Sequence, residues 1–266
     1  MQKGNVCHMK EEIFKRKSIR KYSKEKVSQE LMEEIKEKLS KVTPLYDNIK
    51  FQGHLIEDGE RLLETFKGVI GNYGKVIAPH YIVVTSEEKE GYKENVGYTF
   101  EKIVLWLTGR GIGTCWIGSK IKRELLEKVI IMDEGQVPII LIAFGYPQDI
   151  NYFNLEMDPA HKRKDLEEIV DGRLDDTWEK IFQGVRRAPS GVNLQPWRFV
   201  FKNNKIHCYL KESFIIDKLA NYGRVDGGIA LSHLEIMCKL NNTPITFVSE
   251  PEESKSNHEY LVTAVF

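Results

Sequence analysis

Ala188-Pro189-Ser190-Gly191-Val192-Asn193-Leu194-Gln195-Pro196-Trp197-Arg198-Phe199 reads as a turn that runs into a strand. Pro189, Pro196 and Gly191 punctuate it, and a glycine lets the backbone come close to something flat or bulky. Ser190, Asn193 and Gln195 add neutral donors and acceptors, with no charge and no nucleophile–base pair. A helix-to-strand turn explains the prolines and the glycine. The three polar side chains go beyond what a turn needs, and they suit a loop that holds the polar edge of a large planar ligand.

Around this stretch the second part of the chain alternates helix and strand. Residues 176–187 place Trp178, Ile181, Phe182 and Val185 on one helical face. Residues 197–201 and 206–210 pair as strands about the Asn203-Asn204 turn. A long helix over 225–240 and a strand over 259–266 follow.

The first part reads similarly. After a disordered lead-in over 1–8, helices are expected over 9–17, with Ile13 and Phe14 inward, and over 28–39. The second can be capped by Ser28 and has Leu31, Met32, Ile35 and Leu39 on one face. Residues 42–55 turn and then extend, and 61–69 form another helix. Residues 78–85 enter a β-branched strand. The longest helix covers 92–110, with the stripe Phe100, Ile103, Val104 and Leu107, and Gly109, Gly111 and Gly113 end it. A short helix over 123–129 precedes an apolar strand over 137–146, suited to a sheet covered on both faces. Residues 148–172 read as a polar linker with Pro159 and the basic run His161-Lys162-Arg163-Lys164. The long helix and apolar final strand recur at comparable stages of both parts, which points to internal duplication. The domains expected are 9–150, a linker over 151–172, and 173–266.

Composition narrows the function. Basic and acidic side chains balance at 39 each, so the whole-chain charge gives no support for a nucleic-acid binder. Cys7, Cys115, Cys208 and Cys238 lie far apart, with no zinc-ligand spacing, and read as free thiols. No apolar run has signal-peptide or bilayer length, so a cytoplasmic protein without metal or membrane partner is expected.

Three other segments could carry chemistry. Arg16-Lys17-Ser18-Ile19-Arg20-Lys21-Tyr22 is either a basic solvated helix end or a phosphate clamp made of guanidinium forks and a hydroxyl. Gly111-Ile112-Gly113-Thr114-Cys115-Trp116-Ile117-Gly118-Ser119 follows a helix, so it is not a dinucleotide-binding fingerprint. A helix cap accounts for its first glycines, whereas Gly118 would let backbone N–H groups approach a ring edge. Arg163 sits in a cluster that solvent alone would explain, and His233, among Leu231, Leu234 and Ile236, reads as structural.

Together these segments resemble the nitroreductase family of FMN flavoproteins. The resemblance implies an α+β fold of two nitroreductase-like α/β/α halves forming an intrachain pseudo-dimer, with antiparallel-rich sheets flanked by helices. It implies that Arg16, Lys17, Ser18 and Arg20 hold the FMN phosphate with help from Arg163, and that Trp116, Ile117, Gly118 and Ser119 lie along the ring edge. Pro189, Ser190 and Asn193 match the loop that the other subunit supplies in that family. The order departs from the family's: Val42-Thr43-Pro44-Leu45-Tyr46-Asp47-Asn48 stands where the first part should have that loop, and no Arg-x-Ser-x-Arg run precedes it in the second. One complete FMN site per chain is therefore expected, in a protein that works as a monomer through its internal pseudo-dimer. The implied activity is ping-pong transfer of hydride from NAD(P)H through flavin N5 to a nitroaromatic, quinone or similar small-molecule acceptor. No catalytic side chain is required, since the flavin carries the chemistry. The alternatives are an FMN-binding sensor or carrier without turnover, a family enzyme using oxygen or a specialised substrate, and a non-flavin scaffold whose motifs are relics.

Overall fold

The structure, a computed structural model, describes residues 4–66, 76–118, 121–153, 162–211, 222–251 and 258–266. The fold is mixed α+β with two antiparallel-rich sheets. In chain order the elements are α1 (Gly4–Lys15), α2 (Gln29–Ser40), β1 (Phe51–Ile56), α3 (Gly59–Thr65), β2 (His80–Glu87), α4 (Tyr92–Thr108), β3 (Gly113–Ile117), α5 (Arg123–Leu126) and β4 (Gln136–Gly145). They continue with α6 (Leu166–Ile169), β5 (Val170–Asp171), α7 (Asp176–Val185), β6 (Trp197–Lys202), β7 (Lys205–Lys211), α8 (Gly223–Leu240), β8 (Thr246–Val248) and β9 (His258–Val265). Single-turn 3-10 helices lie at Ile150–Phe153 and Gly191–Asn193.

The chain forms two compact units, which are not consecutive halves. One holds residues 15–92 and 103–154; the other holds 1–14, 93–102 and 155–266. The first contains the sheet β1-β2-β4-β3, antiparallel throughout. Period-two alternation sends Tyr81 and Val83 of β2, Cys115 and Ile117 of β3, and Leu141 and Ala143 of β4 into one buried cluster. Leu62 of α3 and Leu126 of α5 join it. Ile82, Val84, Ile140 and Ile142 are buried as well, so the central strands are covered on both faces as the apolar run of β4 predicts. Ser28 caps α2 by accepting from the Leu31 N–H at 3.3 Å, and Met32 and Ile35 are buried beneath it.

The second unit contains the sheet β5-β6-β7-β9-β8, with β5 parallel to β6 and the other pairs antiparallel. Asn203 and Asn204, with φ of 52° and 58°, make the turn between β6 and β7. Leaving out β5, the order β6-β7-β9-β8 repeats β1-β2-β4-β3, and in each sheet the second strand shifts register once, at Val84/Thr85 and at Cys208/Tyr209. Trp178, Ile181, Phe182 and Val185 of α7 are buried, and the rings of Phe182 and Phe199 meet edge to face at 5.1 Å.

Residues 93–102 of α4 belong to this second unit, where they cross α8. A Cβ on Gly97 would overlap the carbonyl oxygen of Val225, and one on Gly228 would overlap that of Glu94. Each glycine follows by three positions the residue whose carbonyl the other meets (97 − 94 and 228 − 225), so the contact is reciprocal, as in an isologous interface. One helical stretch further on, His233 Nε2 lies 3.0 Å from Glu101 Oε1, and His233 Nδ1 lies 3.1 Å from the Gly184 carbonyl. Neither side chain is exposed.

Several boundaries differ from the sequence reading. Helix α1 begins at Gly4, inside the expected lead-in. Residues 113–117, expected in the loop after the central helix, form strand β3, because Thr114-Cys115-Trp116-Ile117 is a β-branched and aromatic run. Gly111, at φ 72°, makes the turn before it. The end of the expected linker folds into α6 and β5. The continuation of α3 to 69, together with Pro159, His161 and Ser119, lies outside the described residues. Among the described residues no helix is long and apolar enough to cross a membrane.

Candidate functional site

Each unit carries one cluster of the expected residues. In the first unit, helix α1 stops at Lys15 and the basic run continues as extended chain along edge strand β3. Ser18 bridges Thr114 in parallel fashion, and the Ile19 N–H donates to the Thr114 carbonyl at 2.8 Å. Gly113 permits this approach, since a Cβ there would meet the Ile19 side chain at 2.5 Å. The Tyr22 hydroxyl donates to the Ile19 carbonyl at 2.8 Å, and the backbone of Tyr22 bridges Pro147. The run is therefore fixed to the sheet rather than frayed from a helix end.

Period two along extended chain puts Arg16, Ser18 and Arg20 at alternate positions. Arg16 is 3 % exposed, Arg20 is exposed, and Ser18 lies between these extremes. Burial pushes the Cys115 thiol up, while Arg20 and Arg16 both pull it back, so both cations act on β3. Lys17 Nζ lies 5.7 Å from the centre of the Tyr152 ring. Trp116 and Ile117 pair with Ile142 and Leu141 at the end of β3, and Gly118 follows directly. The Ile117 side chain is buried in the core, which leaves its backbone to face any ligand. The cations and the hydroxyl thus lie against β3 at Thr114 and Cys115, and this donor set fits a phosphate group.

In the second unit the stretch 189–195 departs from ordinary backbone. Val192, Asn193 and Gln195 have φ of 45°, 61° and 48°. This is the left-handed region, which a β-branched residue such as valine occupies only under constraint. Hydrogen bonds hold the turn. The Gln195 N–H donates to Ser190 Oγ at 2.9 Å, which leaves the hydroxyl proton to donate. Arg163 Nη1 donates to Asn193 Oδ1 at 2.7 Å, and Asn193 Nδ2 donates to the Lys162 carbonyl at 2.8 Å. Gln195 Oε1 accepts from the Lys164 N–H at 2.9 Å, and Lys164 Nζ donates to the Gln195 carbonyl at 3.1 Å. The Gly191 N–H donates to Asp226 Oδ2 at 3.0 Å. Burial raises the Asp226 carboxyl to about 8, against the pull of that N–H.

The expected site residues therefore separate into two groups. Arg16, Lys17, Ser18, Arg20, Trp116, Ile117 and Gly118 share the first unit; Pro189, Ser190, Asn193 and Arg163 share the second. Arg163, expected to help hold the phosphate, has hydrogen bonds to Asn193 and to the Arg187 carbonyl, the latter at 3.2 Å. Lys164, Gln195 and Asp226 complete the second group. Asp226 gave no signal in the sequence, because an acid in the first turn of a helix reads as ordinary dipole compensation.

A family model described as "Putative TM nitroreductase" matches residues 8–238. Among solved structures, one described as a "putative nitroreductase" from Thermotoga maritima has 20 % identity and a TM-score of 0.62, over 96 % of this chain and 91 % of that one. A "Putative NADH Oxidase" from Clostridium acetobutylicum has 22 % identity and a TM-score of 0.43, over 52 % of this chain and 88 % of that one. An "FMN-dependent Nitroreductase" from Clostridium difficile has 19 % identity and a TM-score of 0.41, over 52 % and 87 %. No curated protein matches the sequence.

Proposed function

Because the chain belongs to the nitroreductase family whose model covers residues 8–238, we propose that it is a cytoplasmic FMN-dependent NAD(P)H oxidoreductase. FMN, when bound, supplies the two-electron chemistry, accepting hydride from NAD(P)H and delivering it to a nitroaromatic, quinone or similar acceptor in alternating half-reactions. The observation that carries this reading is the Ile19 to Thr114 hydrogen bond, which fixes the Arg16–Ser18–Arg20 run beside β3.

In this reading Arg16 and Arg20 bind phosphate through their guanidinium forks, Ser18 adds its hydroxyl, and Lys17 adds charge. Backbone N–H groups over 116–118 stabilise negative charge that develops at the ring edge. Ser190, with its donor proton, and the backbone over 189–193 are also assigned to cofactor binding. Arg163 acts through Asn193. No side chain is assigned a proton-transfer role.

The repeated strand order of the two sheets supports internal duplication, and with one set of each motif per chain we propose one FMN per monomer. Purified protein should be yellow, or become so with FMN, and NADH or NADPH should bleach it under anaerobic conditions. Protein that stays colourless with FMN would refute the reading, and two flavins per chain would refute the single site. Arg20→Ala and Asn193→Ala should each weaken FMN binding. A charge-assisted phosphate hydrogen bond of about 1.5–3 kcal/mol makes the Arg20 loss about ten- to a hundredfold.

A further inference from the structure

The turn at 190–195 has a buried acidic anchor that the proposed function does not use. The ties of Asn193 to Arg163 and Lys162 are exposed, where water competes for the same groups. Asp226 is 8 % exposed, stands in the first turn of α8, and accepts the Gly191 N–H at 3.0 Å in a part-buried bond. Gly191 immediately precedes Val192, the most constrained residue of the turn (φ 45°, ψ 25°), whose side chain is 63 % exposed. A valine in that conformation persists only when its surroundings over-determine it. An N–H fixed one residue earlier, by a side chain rooted in a long helix, supplies such a constraint. The place Gly191's Cβ would occupy is 3.6 Å from Asp226 Oδ2, so the carboxyl sits directly against the turn.

We propose that Asp226 is a positioning residue for the cofactor: by accepting the Gly191 N–H it sets the left-handed turn at Val192–Asn193, and so the shape in which this loop meets FMN. The inference rests on the FMN reading but concerns a residue that touches the loop rather than the cofactor. It requires only an acceptor at this position, so asparagine should serve and alanine should not.

The test compares the full-length protein with Asp226→Ala and Asp226→Asn. FMN affinity is read by fluorescence titration, and the Gly191 amide resonance is followed in 15N-labelled apoprotein. The expected result is at least about a tenfold loss of FMN affinity for alanine and recovery to within about threefold for asparagine. The Gly191 amide should exchange faster and shift in the alanine variant. Alanine binding FMN as the unaltered protein does, or asparagine failing to recover affinity while remaining folded, would overturn the assignment and leave the flavin reading intact. If the alanine variant does not fold, the asparagine variant and the Gly191 amide still decide the matter. Unaltered protein that binds no FMN would remove the flavin reading and with it the cofactor role of Asp226, and the Gly191 amide would then report only whether the carboxyl holds the loop.

Discussion

The guanidinium of Arg163 donates to the side-chain oxygen of Asn193 at 2.7 Å. Its other terminal nitrogen donates to the carbonyl of Arg187 at 3.2 Å. One side chain thus ties the tip of the 190–195 turn to the end of α7. The cation works on the loop's shape, and the amide of Asn193 is engaged before any ligand arrives.

Arg163→Ala should therefore loosen the turn more than it destabilises the protein. An exposed charge-assisted bond contributes about 1 kcal/mol or less. Hydrogen exchange should accelerate at the amides of 191–195, with little change in Tm. An unaltered exchange pattern would show that the remaining bonds hold the turn unaided.

Asp226 should give the protein a pH-dependent stability of unusual sign for a carboxylate. Its folded value is raised from 3.8 to about 8, so between these values the folded state keeps a proton that the unfolded chain has lost. Stability then falls as pH rises through that window, by about 1.4 kcal/mol per pH unit, and levels off above it. Asp226→Asn removes this contribution. The Tm difference, variant minus unaltered protein, should grow from pH 5 to pH 8 in a thermal-shift series; a constant difference would contradict the assignment.

Gly97→Ala and Gly228→Ala should both be severely destabilising, because each added methyl meets backbone carbonyl rather than a yielding side chain. Overpacking of this kind costs about 1–3 kcal/mol or more. Reciprocity predicts similar losses for the two, and non-additivity when they are combined. Urea denaturation of the two single variants and the double variant checks both statements.

His233→Ala should cost about 3–5 kcal/mol, the range for breaking a buried pair, since Glu101 would be left without this partner and the Gly184 carbonyl would lose its ring N–H. Chemical denaturation measures the loss. A change below about 1 kcal/mol would mean that the pair is not formed in solution.

Long elements with one buried face were legible in the sequence. The Trp178, Ile181, Phe182 and Val185 stripe gives α7, and Asn203-Asn204 gives the β6–β7 turn. Short elements were not: β3, β5, β8 and α6 offer too few residues for any periodicity to emerge. The candidate site divides along the same line. Arg16, Ser18 and Arg20 were visible as a basic run with a hydroxyl, the residue types of a phosphate clamp. The pairing of Arg163 with Asn193 was not, since 30 residues separate them and only the fold brings them together. The assignment of residues 93–102 to the unit of 155–266 also depends on tertiary packing, here Gly97 and Gly228, which local sequence does not encode.

The repeated strand order has a consequence for biogenesis. In both sheets the strand that comes last in the chain, β4 or β9, lies between two earlier ones. During synthesis β2 and β3, and later β7 and β8, must wait with open edges until that strand slots between them. Each sheet thus passes through a stage in which unpaired strands are open to wrong partners. The residues paired on both sides, which end this exposure, are 141–144 and 263–265, so each sheet keeps open edges until these segments leave the ribosome.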